Sequence, residues 1–361
     1  MNTPNIEIRN AKSVEETLEL MKAKLSQVVP AEDLAEKAEL VFLINSKKRE
    51  MGAVILGHNY MEPVLFHTVP DYVGDSLELS RIAARTDADP IIFCGVRFMA
   101  ETAKILNPGK TVLLPADKAG CSLAASLTAA DVVELKRRFP GAPVVSYVNT
   151  YADVKAETDI CCTSSNAAAV VKKLLERGHR RIIFLPDEYL ASNVAADLGL
   201  ALMRVGGVDP AAAEDAPPVD RPYLIAWRGR CEVHERFTVA DVTAARLQYP
   251  GVVVLAHPEC SREVVQAVDF SGSTKQMIAY VRDVEAPRYL LLTECSMGDN
   301  IAAENPHREL VRMCRLRCPH MKEITLEDTL SALMNRRRVI ELDPELMDRA
   351  RASLDRMIEI G

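Results

Sequence analysis

No run of apolar residues in this 361-residue chain approaches the roughly 18 needed to cross a membrane, so a membrane span is not expected. Basic residues are not in surplus either. Against 44 Lys and Arg stand 51 Asp and Glu, a net charge of -7, which leaves no basic stripe to neutralise phosphates and disfavours nucleic-acid binding. The one compact basic run, Arg336-Arg337-Arg338, reads as a solvated helix end. The first 25 residues lack the apolar centre of a signal peptide, so a cytoplasmic location is expected. No Gly-rich dinucleotide fingerprint follows any apolar run, which argues against a nicotinamide dehydrogenase.

What is present is cysteine, nine residues of it. In a reducing compartment these are core residues, metal ligands or redox thiols rather than a disulfide framework. Their placement follows a pattern that occurs three times. Apolar runs without alternation, the mark of strands buried on both faces, begin at Ala53, Pro143 and Val252. Each ends in polar residues: His58 and Tyr60, Tyr147 and Asn149, His257 and Glu259. Each is followed by hydroxyls at the head of a helix: Asp75-Ser76, Thr163-Ser164-Ser165, and Ser273-Thr274. Further runs at 90–94, 111–114, 181–185, 223–226 and 289–292 complete the units, and after them come Cys121, Cys231 and Cys318.

This spacing predicts an α/β protein of three similar α/β sandwich domains in a pseudo-threefold arrangement. The divisions fall at 1–48 (N-terminal helices), 49–136, 137–240 and 241–325 (three α/β units), and 326–361 (C-terminal helices). Under threefold symmetry the three cysteines meet on the axis. Three thiolates leave one coordination position open, as a three-ligated [4Fe-4S] cluster leaves one iron free to act as a Lewis acid. Hydroxyls and free N–H groups at three helix starts suit a substrate with several anionic groups. Cys94, Cys161 and Cys162 read as packing residues. Cys314 stays open between sharing a metal with Cys318, forming a disulfide with it, and neither. The stretch 208–222 reads as a surface insertion.

Nine ordered blocks then carry a family resemblance: GDSLELSR (74–81), GVRFMAETAKILNP (95–108), AGCSLA (119–124), YVNT (147–150), CTSSNA (162–167), CEVHERF (231–237), HPEC (257–260), GSTKQM (272–277) and CPHMK (318–322). Over residues 50 to 330 the chain resembles quinolinate synthase, the A protein of bacterial NAD biosynthesis. The resemblance implies a [4Fe-4S] cluster on Cys121, Cys231 and Cys318, and condensation of iminoaspartate with dihydroxyacetone phosphate to quinolinate, phosphate and water. It implies substrate binding by His58, Ser76, Tyr147, Asn149, Ser164, His257, Glu259 and Thr274, with Tyr60 and His234 also at active-site positions. His58, Tyr60, Glu259 and His234 are the residues suited to acid and base chemistry.

An L-aspartate oxidase or dehydrogenase would be a transient partner. Departures from the family pattern are a His58-to-Ser76 loop one residue longer than usual, Met61 in place of Gln, and Arg228-Gly229-Arg230 in place of Pro-Gly-Thr. Two rival readings differ in testable ways. Another Fe–S hydro-lyase would not condense the two substrates, and a non-enzymatic iron–sulfur or zinc sensor would not need polar strand ends around its metal.

Overall fold

The computed structural model describes residues 6–207, 215, 220–312 and 316–360. Three parallel sheets follow one another along the chain. The first contains β1 (Val54–His58), β2 (Tyr72–Gly74), β3 (Ile91–Cys94) and β4 (Val112–Leu113), in the order β2-β1-β3-β4. The second contains β5 (Val144–Tyr147), β6 (Ile160–Cys162), β7 (Arg181–Leu185), β8 (Ala201–Val205) and β9 (Tyr223–Trp227), ordered β6-β5-β7-β9-β8. The third contains β10 (Val252–Ala256), β11 (Phe270–Ser271) and β12 (Arg288–Leu292), ordered β11-β10-β12. Each sheet therefore has its first strand between its second and third.

The reason these segments form strands is burial on both faces. Every residue of β1, β3, β5 and β9 is buried, and helices cover the sheets as parallel strands require. The helices Val14–Leu25 and Ala31–Met51 at one end of the chain and Leu326–Asn335 at the other pack into the same core as the first sheet. The helix Pro344–Ile360 lies against β6 and the helices Arg97–Leu106 and Ala152–Ala156, joining the first two sheets. Ser353 Oγ accepts from the Cys161 thiol at 3.4 Å and donates to the Lys155 carbonyl at 3.1 Å. Among the described residues no helix is long and apolar enough to cross a membrane.

Several elements were not expected from sequence. The short strands β2, β6 and β11, the strand β8 and the helix Pro63–Thr68 are additional. Cys161 and Cys162 consequently sit inside β6 rather than in a lead-in to the following helix, although they are core residues as anticipated. Most of the 208–222 insertion lies outside the described residues.

The short second strands owe their existence to one aspartate each. Asp71, Asp159 and Asp269 stand immediately before β2, β6 and β11. Their carboxylates accept from the N–H of Ile55, Val144 and Val254, at 2.9, 2.7 and 2.8 Å. Their own N–H groups donate to the carbonyls of the same three residues. A two-point clamp of this kind sets the register where two or three residues of pairing would not.

Candidate active site

In open α/β sheets ligands bind beyond the carboxyl ends of the strands. At the end of β1, the His58 ring accepts the N–H of Tyr60 through Nδ1 at 3.3 Å. Beyond β10 the same turn is made again, with His257 Nδ1 accepting the N–H of Glu259 at 3.3 Å. Both imidazoles are thereby fixed with Nε2 as the remaining ring nitrogen. The end of β5 is different: Tyr147 O–H donates to Glu259 Oε1 at 2.6 Å, and the buried Asn149 Oδ1 has no partner. A buried acceptor left unpaired is costly unless a ligand or water fills it.

The helix starts deliver the hydroxyls. Asp75 caps the helix Ser76–Arg85 by accepting from Glu78 N–H at 2.9 Å, which puts Ser76 on the cavity wall. Ser273 caps Thr274–Asp283 in a reciprocal box with Gln276, so the helix start occupies Ser273 and Thr274 is the residue on the wall. Of the two hydroxyls that the sequence left open at this position, Ser273 is structural. Thr274 Oγ1 accepts from Asn59 Nδ2 at 2.9 Å, a bond that ties the helix after β11 to the turn after β1. Arg97 and Glu101 form an ion pair at 2.8 Å, and Glu101 also accepts from Ala152 N–H, so this pair braces the helix and does not line the cavity.

The cysteines separate by exposure. Cys94, Cys161, Cys162 and Cys260 are free and buried, whereas Cys121, Cys231 and Cys318 are free and partly open. Cys231 is delivered by a turn that only glycine permits, because a Cβ on Gly229 would stand 2.4 Å from the Pro186 carbonyl oxygen. Burial pushes the Cys121 thiol up to about 12 and the Cys318 thiol to about 11, with Cys318 adding to the effect on Cys121. Cys314 lies outside the described residues; Cys318 itself is free, so no disulfide engages it.

One cavity is lined by all of these groups: His58, Tyr60, Ser76, Tyr147, Asn149, Ser164, His234, His257, Glu259, Thr274 and the thiols of Cys121, Cys231 and Cys318. Every residue that the family resemblance implies for the site is on this wall, whereas the helix-head hydroxyls of Ser165 and Ser273 are not.

Residues 43–359 match the family model described as quinolinate synthetase A protein. The chain belongs to the quinolinate synthetase A protein family. It is 50% identical over 337 residues to quinolinate synthase 2 of Mesorhizobium japonicum, covering 93% of this chain and 96% of that one. It is 49% identical to the quinolinate synthase of Sinorhizobium fredii, with 93% and 87% covered. With the quinolinate synthase of Caulobacter vibrioides it shares 46% identity over 359 residues, 99% of this chain and 89% of the other. The family makes the chain an enzyme of NAD biosynthesis.

In this family member Glu259 is the electrostatic centre of the cavity. Burial by itself would raise its carboxyl, but His234 and His257 beside it and the hydrogen bonds from His234 and Tyr147 outweigh burial and hold it ionised, well below the usual range. The His234 Nδ1 to Glu259 Oε2 distance is 2.7 Å. Burial drives His58 down to about 4 and His257 to about 3, so both are neutral near pH 7. Burial, reinforced by the Glu259 charge, raises Tyr60 and Tyr147 well above the ordinary phenol range. Behind the wall, burial and the same charge push the Asp187 carboxyl far up. Cys231, His234 and Glu259 also present ligand atoms within 4.8 Å of one another, close enough to share a single cation.

Four residues near this site escaped the sequence reading: Asn59, Asp187, Thr293 and Glu294. Asp187 and Glu294 occupy like positions, each capping the helix that follows the third strand of its sheet. The rhyme between FLPDEYL and LTECSM was the available signal.

Proposed function

We propose that this chain is a quinolinate synthase that condenses iminosuccinate with dihydroxyacetone phosphate to give quinolinate, phosphate and water. The observation that carries the reading is the meeting, in one cavity, of the only partly open free thiols among the described residues with a buried carboxylate, two neutral imidazoles and three helix-start hydroxyls. The donor set fits a [4Fe-4S] cluster. Cys121, Cys231 and Cys318 would each give one thiolate, and the core thiols are sealed away from it. When bound, such a group supplies a Lewis acid at its one iron without a protein ligand.

The other steps fall to side chains. Ser76, Ser164 and Thr274, each at or near a helix start, hold the carboxylates and phosphate. Asn149 offers its unpaired oxygen as an acceptor. Glu259, ionised and buried, takes a proton from the carbon acid, and Tyr60, fully protonated, gives one to a departing oxygen. His58 and His257 remain neutral and position substrate, and His234 orients Glu259. An L-aspartate oxidase or dehydrogenase is the class of enzyme that would hand over the imine, in the cytoplasm. Units at 49–136, 137–240 and 241–325 belong to this reading, supported by the confinement of each sheet to one of them.

The test is anaerobic. Purified chain is analysed for iron and sulfide, then given iminosuccinate and dihydroxyacetone phosphate, with quinolinate measured directly. About four irons and four sulfides and a quinolinate product are expected. Cys121→Ser, Cys231→Ser and Cys318→Ser should each lose iron, while Cys260→Ala keeps it. A single zinc on the Cys231, His234 and Glu259 donors, or turnover of a hydroxy acid without condensation, would overturn the proposal.

A further inference from the structure

Thr293 follows the last residue of β12 and is 1% exposed. Its hydroxyl oxygen lies 2.7 Å from the Tyr60 phenol oxygen and 2.9 Å from His234 Nε2. His234 in turn meets Glu259 through Nδ1 at 2.7 Å, and Glu259 accepts from Tyr147 at 2.6 Å. Groups from all three α/β units are thus joined in one line: Tyr147, Glu259, His234, Thr293, Tyr60.

His234 Nδ1 lies 2.7 Å from Glu259 Oε2 and 3.2 Å from Cys231 Sγ, which leaves Nε2 as the ring nitrogen that meets Thr293. The Thr293 hydroxyl is within hydrogen-bond distance of both Nε2 and the Tyr60 phenol, and can donate to one while it accepts from the other. A hydroxyl is the smallest group that can donate to one neighbour and accept from the other, and a hydrocarbon of the same shape can do neither.

We propose that Thr293 is a positioning residue of the reaction, which holds the Tyr60 phenol and the His234 ring at fixed distances so that the Glu259 base and the Tyr60 acid act as a unit. This rests on the function proposed above and extends it to a residue that does not line the cavity. Two buried polar groups meet on this one oxygen, so removing it loosens both ends at once.

Thr293→Val, loaded and assayed as the holoenzyme, is expected to lose about tenfold or more in kcat with KM for both substrates within about twofold of the parent, because the loss falls on the transition state. Thr293→Ser should recover to within about threefold. The double variant Tyr60→Phe/Thr293→Val should be slower than Tyr60→Phe by a smaller factor than Thr293→Val loses against the parent, since the two changes share the Tyr60–Thr293 link. A Thr293→Val enzyme within about twofold of the parent, or a double variant whose loss is the product of the single losses, would overturn the inference. If the valine variant does not fold, Thr293→Ala against Thr293→Ser decides: a slow alanine variant and a recovered serine variant support the link, and equal rates refute it. A parent that makes no quinolinate would sink the proposed function, whereas a failed variant beside an active parent sinks only this inference.

Discussion

The second and third units have nearly the same lead-in and different deliveries. The helices Ala129–Arg138 and Val239–Gln248 both start from a Thr-Asp capping box, Thr128 with Asp131 and Thr238 with Asp241. Both end in an aromatic residue, a proline and a glycine in the left-handed region, Gly141 at φ 79° and Gly251 at φ 78°. Both then enter a strand clamped by an aspartate. Yet β5 ends at Tyr147 with Asn149 two residues on, and β10 leads into His257 and Glu259. The scaffold was kept and the chemistry was exchanged at its tip, so scaffold substitutions should act alike in the two units and tip substitutions should not.

The largest contrast is expected at the tips. Glu259→Gln removes the buried base and should lower kcat by about 10²- to 10⁴-fold. Asn149→Ala, which loses a binding acceptor, should mainly raise KM, by about tenfold. Steady-state kinetics on the two variants checks this, and equal kcat losses would erase the distinction.

Acid should expose the next difference, because His257 has no imidazole counterpart in the second unit. In the folded chain burial keeps His58 and His257 unprotonated down to about 4 and about 3, whereas the unfolded chain protonates them at an ordinary 6.5. The unfolded state therefore binds more protons below 6.5, and stability is complete above that pH and falls as the pH drops toward 4. For His58 the loss is on the order of 3 kcal/mol. Denaturant titrations of His58→Asn and His257→Asn across that window should show a flatter pH profile than the parent.

The clamps should behave equally. Asp159→Ala and Asp269→Ala each strand a strand-end N–H, of Val144 or Val254, and should each cost about 1–3 kcal/mol in chemical denaturation. Asp71→Ala should cost more, since Asp71 also faces the buried Lys48 at 3.0 Å. The smallest effect belongs to the exposed caps: Thr128→Ala and Thr238→Ala should each lose about 1 kcal/mol, the same within a few tenths.

The sequence disclosed the parts of this fold whose burial is continuous. Ile91-Ile92-Phe93-Cys94 and Val252 to Leu255 read as strands because no polar residue interrupts them. Tyr72–Gly74 and Phe270–Ser271 carry no such signal; pairing with a neighbour and an aspartate clamp make them strands, and both are tertiary facts. At the site, the wall residues were visible because they recur at matching strand ends. Thr293 was not, since its meaning depends on Tyr60, a residue separated by 233 positions. The Ser273 ambiguity, by contrast, was resolvable in advance: Ser273-x-x-Gln276 is a capping-box pattern.

The sorting of thiols by exposure has a practical corollary for labelling. On metal-free protein a mild alkylating reagent should reach Cys121, Cys231 and Cys318 ahead of Cys94, Cys161, Cys162 and Cys260, since an opening fit for the proposed cluster would admit a small electrophile too. Mass spectrometry before and after loading would then read occupancy of the centre as a change in tagged peptides, without any spectroscopy of the metal.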